Sequence, residues 1–234
     1  QEGEDHLPHR GHHLCGAVIG QHGNPNEVYL EYSSNPNFSG TGTPPTSETP
    51  KDTVLVFTYQ LDINKVDGTT PTKKLQNAEF KLKCVAADKE ATWKGKWVTV
   101  DANNKVTGWV DTQDKGSALI TNANGLAQVI GLDAGTYELY ETKAPGGYNK
   151  LKAPIKIVIT ATLDKTEDNP ALTALTIKVD DSAAEKGDVT KGTVSTTVTN
   201  NSGATLPETG GVGTTLFYII GGVLMVGAAV LLVT

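Results

Sequence analysis

Across residues 54–200, apolar positions recur at every second residue, the spacing of strands whose side chains point alternately to two faces. Leu55, Phe57, Tyr59, Leu61 and Ile63 share one face of such a strand, with Thr58, Gln60, Asp62 and Asn64 on the other. Similar runs fall at residues 78–85, 97–100, 106–110, 127–130, 136–142, 155–162, 172–179 and 193–200. Turn-forming clusters separate them, among them Asp67-Gly68, Asn103-Asn104, Asn124-Gly125 and Asp133-Ala134-Gly135. No helical period is sustained before the C-terminal tail. The pattern predicts an all-β sandwich of immunoglobulin-like architecture over residues 51–203.

The flanks differ in character. Val28, Leu30 and Tyr32 alternate with Tyr29 and Glu31, which predicts one strand broken by Ser33 to Pro36. Residues 39–50, rich in Gly, Thr, Ser and Pro, read as a linker. We therefore take residues 1–50 as the remnant of a preceding β-domain plus linker. At the other end no charge occurs from Gly211 to Thr234, and Leu216 to Val233 is almost wholly aliphatic. About 20 apolar residues suffice to cross a ~30 Å hydrocarbon layer as a helix, so residues 212–234 are a predicted transmembrane helix. Neither end has the form of a complete chain. Gln1 is no natural start, and cationic residues are expected after Thr234.

Charge and composition narrow the function. A net charge of −6 with both signs interspersed does not suggest a nucleic-acid partner. Two cysteines, Cys15 and Cys84, make no disulfide framework. All five histidines lie within residues 1–23, where His9, His12 and His13 could share a metal. No further ligand at suitable spacing follows, so a tag scar, a misread frame or a disordered end is the better reading. No Ser/His/Asp or metal arrangement emerges in the β-domain, which disfavours a hydrolytic enzyme. No cofactor is expected.

Leu206-Pro207-Glu208-Thr209-Gly210, ahead of the apolar tail, resembles the LPxTG sorting signal of Gram-positive surface proteins. The resemblance implies a membrane-held precursor cut between Thr209 and Gly210 by sortase. The Thr209 carboxyl would pass through a sortase thioester to an amine on peptidoglycan or on a neighbouring subunit. Tyr137-Glu138-Leu139-Tyr140-Glu141-Thr142-Lys143-Ala144-Pro145-Gly146-Gly147-Tyr148 matches the E-box, YxLxETxAPxGY, of CnaB-type domains. KLQNAEFKL at residues 74–82 resembles that family's second strand, with Asn77 where Gly is usual, and residues 122–139 resemble its approach to the box. Lys65 and Asn200 stand where the family places the lysine and asparagine of an intramolecular isopeptide bond. NPNEVYLEYSSNPN at residues 24–37 resembles the closing strand of the middle domain of backbone pilins. Such a domain often carries its own Lys–Asn bond, here with Asn26 or Asn35 and a lysine preceding Gln1. Together these imply a sortase-assembled backbone pilin, with a cell-wall-anchored adhesin or stalk as the alternative. Its acceptor lysine would also lie upstream. A host surface ligand is a candidate further partner.

Strand phase reaches the same three residues independently. Lys65 continues the face of Leu61 and Ile63, Glu141 that of Tyr137 and Leu139, and Asn200 that of Val194 and Val198. An unpaired charge on such a face costs several kcal/mol, and burial favours the neutral amine and carboxylic acid. A neutral Lys65 could attack the Asn200 carboxamide while Glu141 polarises its oxygen and relays protons. The event occurs once per chain and is not turnover. A buried Lys65–Glu141 salt bridge with Asn200 as hydrogen-bond partner fits the same phases. Lys178, Lys81 and Lys83 oppose apolar faces and should meet solvent, as should Asn201. Cys84 follows Phe80 and Leu82 in phase, as a buried inert thiol would.

Overall fold

The alternating segments pair into two facing sheets, and the inward positions of the pattern fill the space between them. The structure, a computed structural model, describes residues 18–35, 37, 40–43, 45–87, 91–164 and 170–203. Residues 206–210, the apolar tail at 212–234, and His6, His9, His12, His13 and Cys15 lie outside the described residues. The first strands are β1 (Asn24–Val28), β2 (Glu31–Ser33), β3 (Thr46–Glu48), β4 (Asp52–Val56) and β5 (Tyr59–Asp67). Next come β6 (Glu79–Ala87), β7 (Trp97–Val100), β8 (Val106–Val110), β9 (Leu119–Ile120) and β10 (Leu126–Leu132). The last are β11 (Gly135–Lys143), β12 (Ile155–Asp164), β13 (Ala171–Val179), β14 (Glu185–Lys186) and β15 (Thr193–Asn200). One 3-10 turn, Ala91–Trp93, is the sole helical element among the described residues.

In the smaller sheet β5 lies between β10, antiparallel, and β15, parallel. The larger sheet runs β14-β13-β12-β11-β6-β7-β8, and β9 pairs with β6 outside that order. From the small sheet Tyr59, Leu61, Ile63, Val129, Val194 and Val198 point inward and are buried. Phe80, Leu82, Tyr137, Leu139, Ile157, Ile159, Leu175 and Ile177 meet them from the large sheet. Each such side chain contributes about 1.5–3 kcal/mol when fully buried, so the alternation fixes which face of each strand turns inward.

The sequence expectation needs correction in the flanking segments. The predicted strand running from Leu55 to Ile63 is two strands, parting at Phe57-Thr58, because the chain changes partners there. β4 pairs with β1, whereas β5 pairs with β10 and β15. Phe57 is buried at the junction, beside Gly23, where an added Cβ would lie 2.9 Å from its ring. Val28 and Tyr32 likewise fall in different strands, β1 and β2, with Tyr29 and Leu30 between them. All four are exposed, so no buried face holds them in one register. Part of the 39–50 linker is strand β3, paired with β2. The β1–β4 pairing therefore spans the boundary drawn at residue 50. Asn77 adopts φ 64°, a left-handed conformation that Asn tolerates where Gly is commoner.

Candidate functional site

Parallel pairing of β5 with β15 sets Lys65 opposite Val198 and Asp67 opposite Asn200. Side chains two residues apart share a face, so Lys65 and Asn200 project together into the interior. Glu141 faces them from β11 in the large sheet. All three are buried, with Lys65 0% and Asn200 2% exposed. The Lys65 ammonium donates to Oδ1 of Asn200. Asn200 Nδ2 donates to Glu141 Oε1 at 2.8 Å, and that oxygen lies 3.4 Å from Lys65 Nζ. The other oxygen, Oε2, accepts the Leu151 N–H at 2.7 Å. The Phe80 ring closes one side, its centroid 5.8 Å from Nζ.

Burial pushes the Lys65 ammonium below the usual lysine range, and attraction to Glu141 opposes that shift only in part. Amine, carboxamide and carboxyl thus meet in a dry enclosure. Two chemistries fit this contact: a hydrogen-bonded ion pair, or attack of the amine on the carboxamide. As the amide atoms are assigned, Glu141 stands at the nitrogen of Asn200 rather than at its oxygen, where the polarising role would put it.

A second layer, not read from the sequence, surrounds the trio. Asp67 accepts from the Tyr148 hydroxyl at 2.7 Å and from the Thr69 and Thr70 N–H groups. Those bonds, Tyr148's above all, hold its carboxyl down to about 2. Asn149 N–H donates to the Asn201 carbonyl, and Tyr148 bridges to Ser202. The Asp67-Gly68 signal reads as a turn, yet Asp67 continues the phase of Leu61, Ile63 and Lys65, which was the available clue. Leu151 acts through its backbone and left no signal.

The other candidates fall elsewhere. Lys178 and Asn201 are exposed, while Lys81 and Lys83 are half-buried, Lys81 donating to the Gln113 carbonyl. Cys84 is buried, and burial first, then the Asp133 carboxylate, pushes its thiol up to about 11. Asn26 is exposed on β1, and His22 is exposed too. Among the described residues no group of three or more His, Cys, Asp or Glu is placed to hold a metal.

A family model described as the SpaA prealbumin-like fold domain matches residues 59–170, and the LPXTG cell wall anchor motif matches residues 198–234. The trypsin-resistant surface T6 protein of Streptococcus pyogenes serotype M6 is 27% identical over 269 residues, covering 91% of this chain and 44% of that protein. The solved T6 backbone pilin of serotype M6 Streptococcus pyogenes is similar over 81% of this chain and 45% of its own, at 21% identity and a TM-score of 0.44. The chain carries a SpaA prealbumin-like domain followed by an LPXTG cell wall anchor.

The pilus 2b backbone protein of group B streptococcus is also similar, at 29% identity and a TM-score of 0.47, over 70% of this chain and 50% of that one. The chain spans less than half the length of the T6 surface protein. It is a cell-surface protein, and its anchor match begins at residue 198, inside β15. The strand that carries Asn200 therefore leads directly toward the sorting signal.

Proposed function

We propose that this chain is a pilin, a structural subunit of a sortase-assembled pilus, joined to its neighbour through Thr209 and sealed internally by a Lys65–Asn200 isopeptide bond. The supporting observation is the buried contact of Lys65, Asn200 and Glu141 between the edge-to-edge strands β5 and β15 and the opposing β11.

The chemistry balances within the trio. Lys65 gives a proton to Glu141, which leaves the neutral amine that burial of Lys65 favours. Nζ attacks Cγ of Asn200 and a new C–N bond forms. Glu141, beside Nδ2, protonates that nitrogen as its bond to Cγ breaks. Ammonia leaves, and Glu141 recovers a proton from the former lysine nitrogen. Fixed positioning supplies the rate, because an amide is otherwise a poor electrophile.

Sortase then acts at residues 206–210, cutting between Thr209 and Gly210, with Leu206, Pro207 and Glu208 completing its recognition sequence. The Thr209 carboxyl is transferred to a lysine of the next subunit, and to peptidoglycan at the base of the fibre. The test is mass spectrometry of wall digests from cells that make the protein. Thr209 joined to a subunit lysine is expected. Thr209 attached to peptidoglycan alone would make it an unpolymerised stalk or adhesin.

A further inference from the structure

Asp67 is joined to three parts of the site at once. It lies two residues beyond Lys65 on the same strand and faces Asn200 in the parallel ladder. Its carboxylate also receives the Tyr148 hydroxyl. Tyr148 belongs to the segment at residues 144–151 that crosses the end of β15, and that segment ends at Leu151, whose N–H holds Glu141 Oε2. Lifting this segment would remove that donor from Glu141 and open the trio to water.

We propose that Asp67 and Tyr148 form a latch that seats residues 144–151 over the site and so orients Glu141 for the cross-linking step. Asp67 and Tyr148 are positioning residues, since neither touches the reacting atoms. The inference rests on the cross-link reading above. Asp67 is 6% exposed and accepts three hydrogen bonds, with Lys73 Nζ a further 3.7 Å away. A buried carboxylate so fully satisfied is a fixed point rather than a mobile surface group. The Tyr148–Ser202 bridge and the bond from Asn149 N–H to Asn201 add backbone contacts, but the hydroxyl is the link that ties the loop to the lysine's own strand.

The test follows ammonia loss over time in the full chain, synthesised cell-free with detergent micelles for its apolar tail and quenched in denaturant for intact-mass measurement. Tyr148→Phe and Asp67→Ala should each slow the loss about tenfold, the effect of one hydrogen bond to a charged group. Asp67→Asn keeps an acceptor for the Thr69 and Thr70 N–H groups and an amide that can bond the Tyr148 hydroxyl. It should stay within about twofold of the original rate, well short of the loss expected for a full bond. Melting temperatures of the same variants in a Lys65→Ala background report the purely structural effect. Equal rates for Tyr148→Phe and the original chain, or an Asp67→Asn as slow as Asp67→Ala, would overturn the latch alone. A chain that never loses ammonia would overturn the cross-link itself.

Discussion

Lys65 stands opposite Val198 in the parallel ladder, yet its Nζ meets the carboxamide oxygen of Asn200, two residues farther along β15. The diagonal matters mechanically. β5 opens the sandwich and β15 closes it, so tension enters at one end of β5 and leaves at the opposite end of β15. A bond between Lys65 and Asn200 would carry that load across, and the strands between would bear little of it.

Single-molecule stretching from the two chain ends should therefore lack the extension stored between residues 65 and 200. That segment spans 135 residues, roughly 450–490 Å when fully extended. Asn200→Ala should release it. The same missing length in both proteins would contradict the covalent load path.

Asn200→Ala should also lower stability. Closing a 135-residue loop restricts the unfolded chain by about 5 kcal/mol if the disulfide loop model transfers. For a domain of this size that corresponds to a fall of about 10–20 °C in melting temperature. Calorimetry of both proteins provides the check, and coincident transitions would mean that no loop is closed.

Glu141→Gln keeps an acceptor for the Leu151 N–H but cannot take the lysine proton. The chain should then retain its ammonia. An unchanged loss would remove Glu141 from the chemistry.

Before the bond forms, stability should depend on pH through Lys65. Burial holds its folded-state pKa below the ordinary lysine value of 10.5. The unfolded chain binds more protons between those two values, so stability rises with pH across that window and falls on acidification through the folded pKa. Denaturant titrations of Asn200→Ala should show this rise relative to Asn200→Ala with Lys65→Met. Parallel pH profiles would assign the dependence to other groups.

The sandwich was legible because inward positions alternate along most of β5 and through β11 and β12, although the phase switches in β13 between Leu172 and Leu175. The sites of Lys65, Glu141 and Asn200 followed from the same phase, since each polar residue extends an apolar face. What escaped was set by contacts that carry no period. The parting of β4 from β5 at Phe57-Thr58 reflects a change of strand partner, and β9 and β14 are only two residues long. Leu151 serves Glu141 through a backbone N–H, which any residue but proline supplies. Asp67 was concealed by a neighbouring glycine that makes the pair look like a simple turn.

The most direct test of the central claim is the intact mass of the purified chain, with a digest to locate any linkage. The account predicts a mass lower than the sequence mass by one ammonia, and a branched peptide joining Lys65 to Asn200. The full sequence mass, with both residues recovered in separate linear peptides, would contradict it.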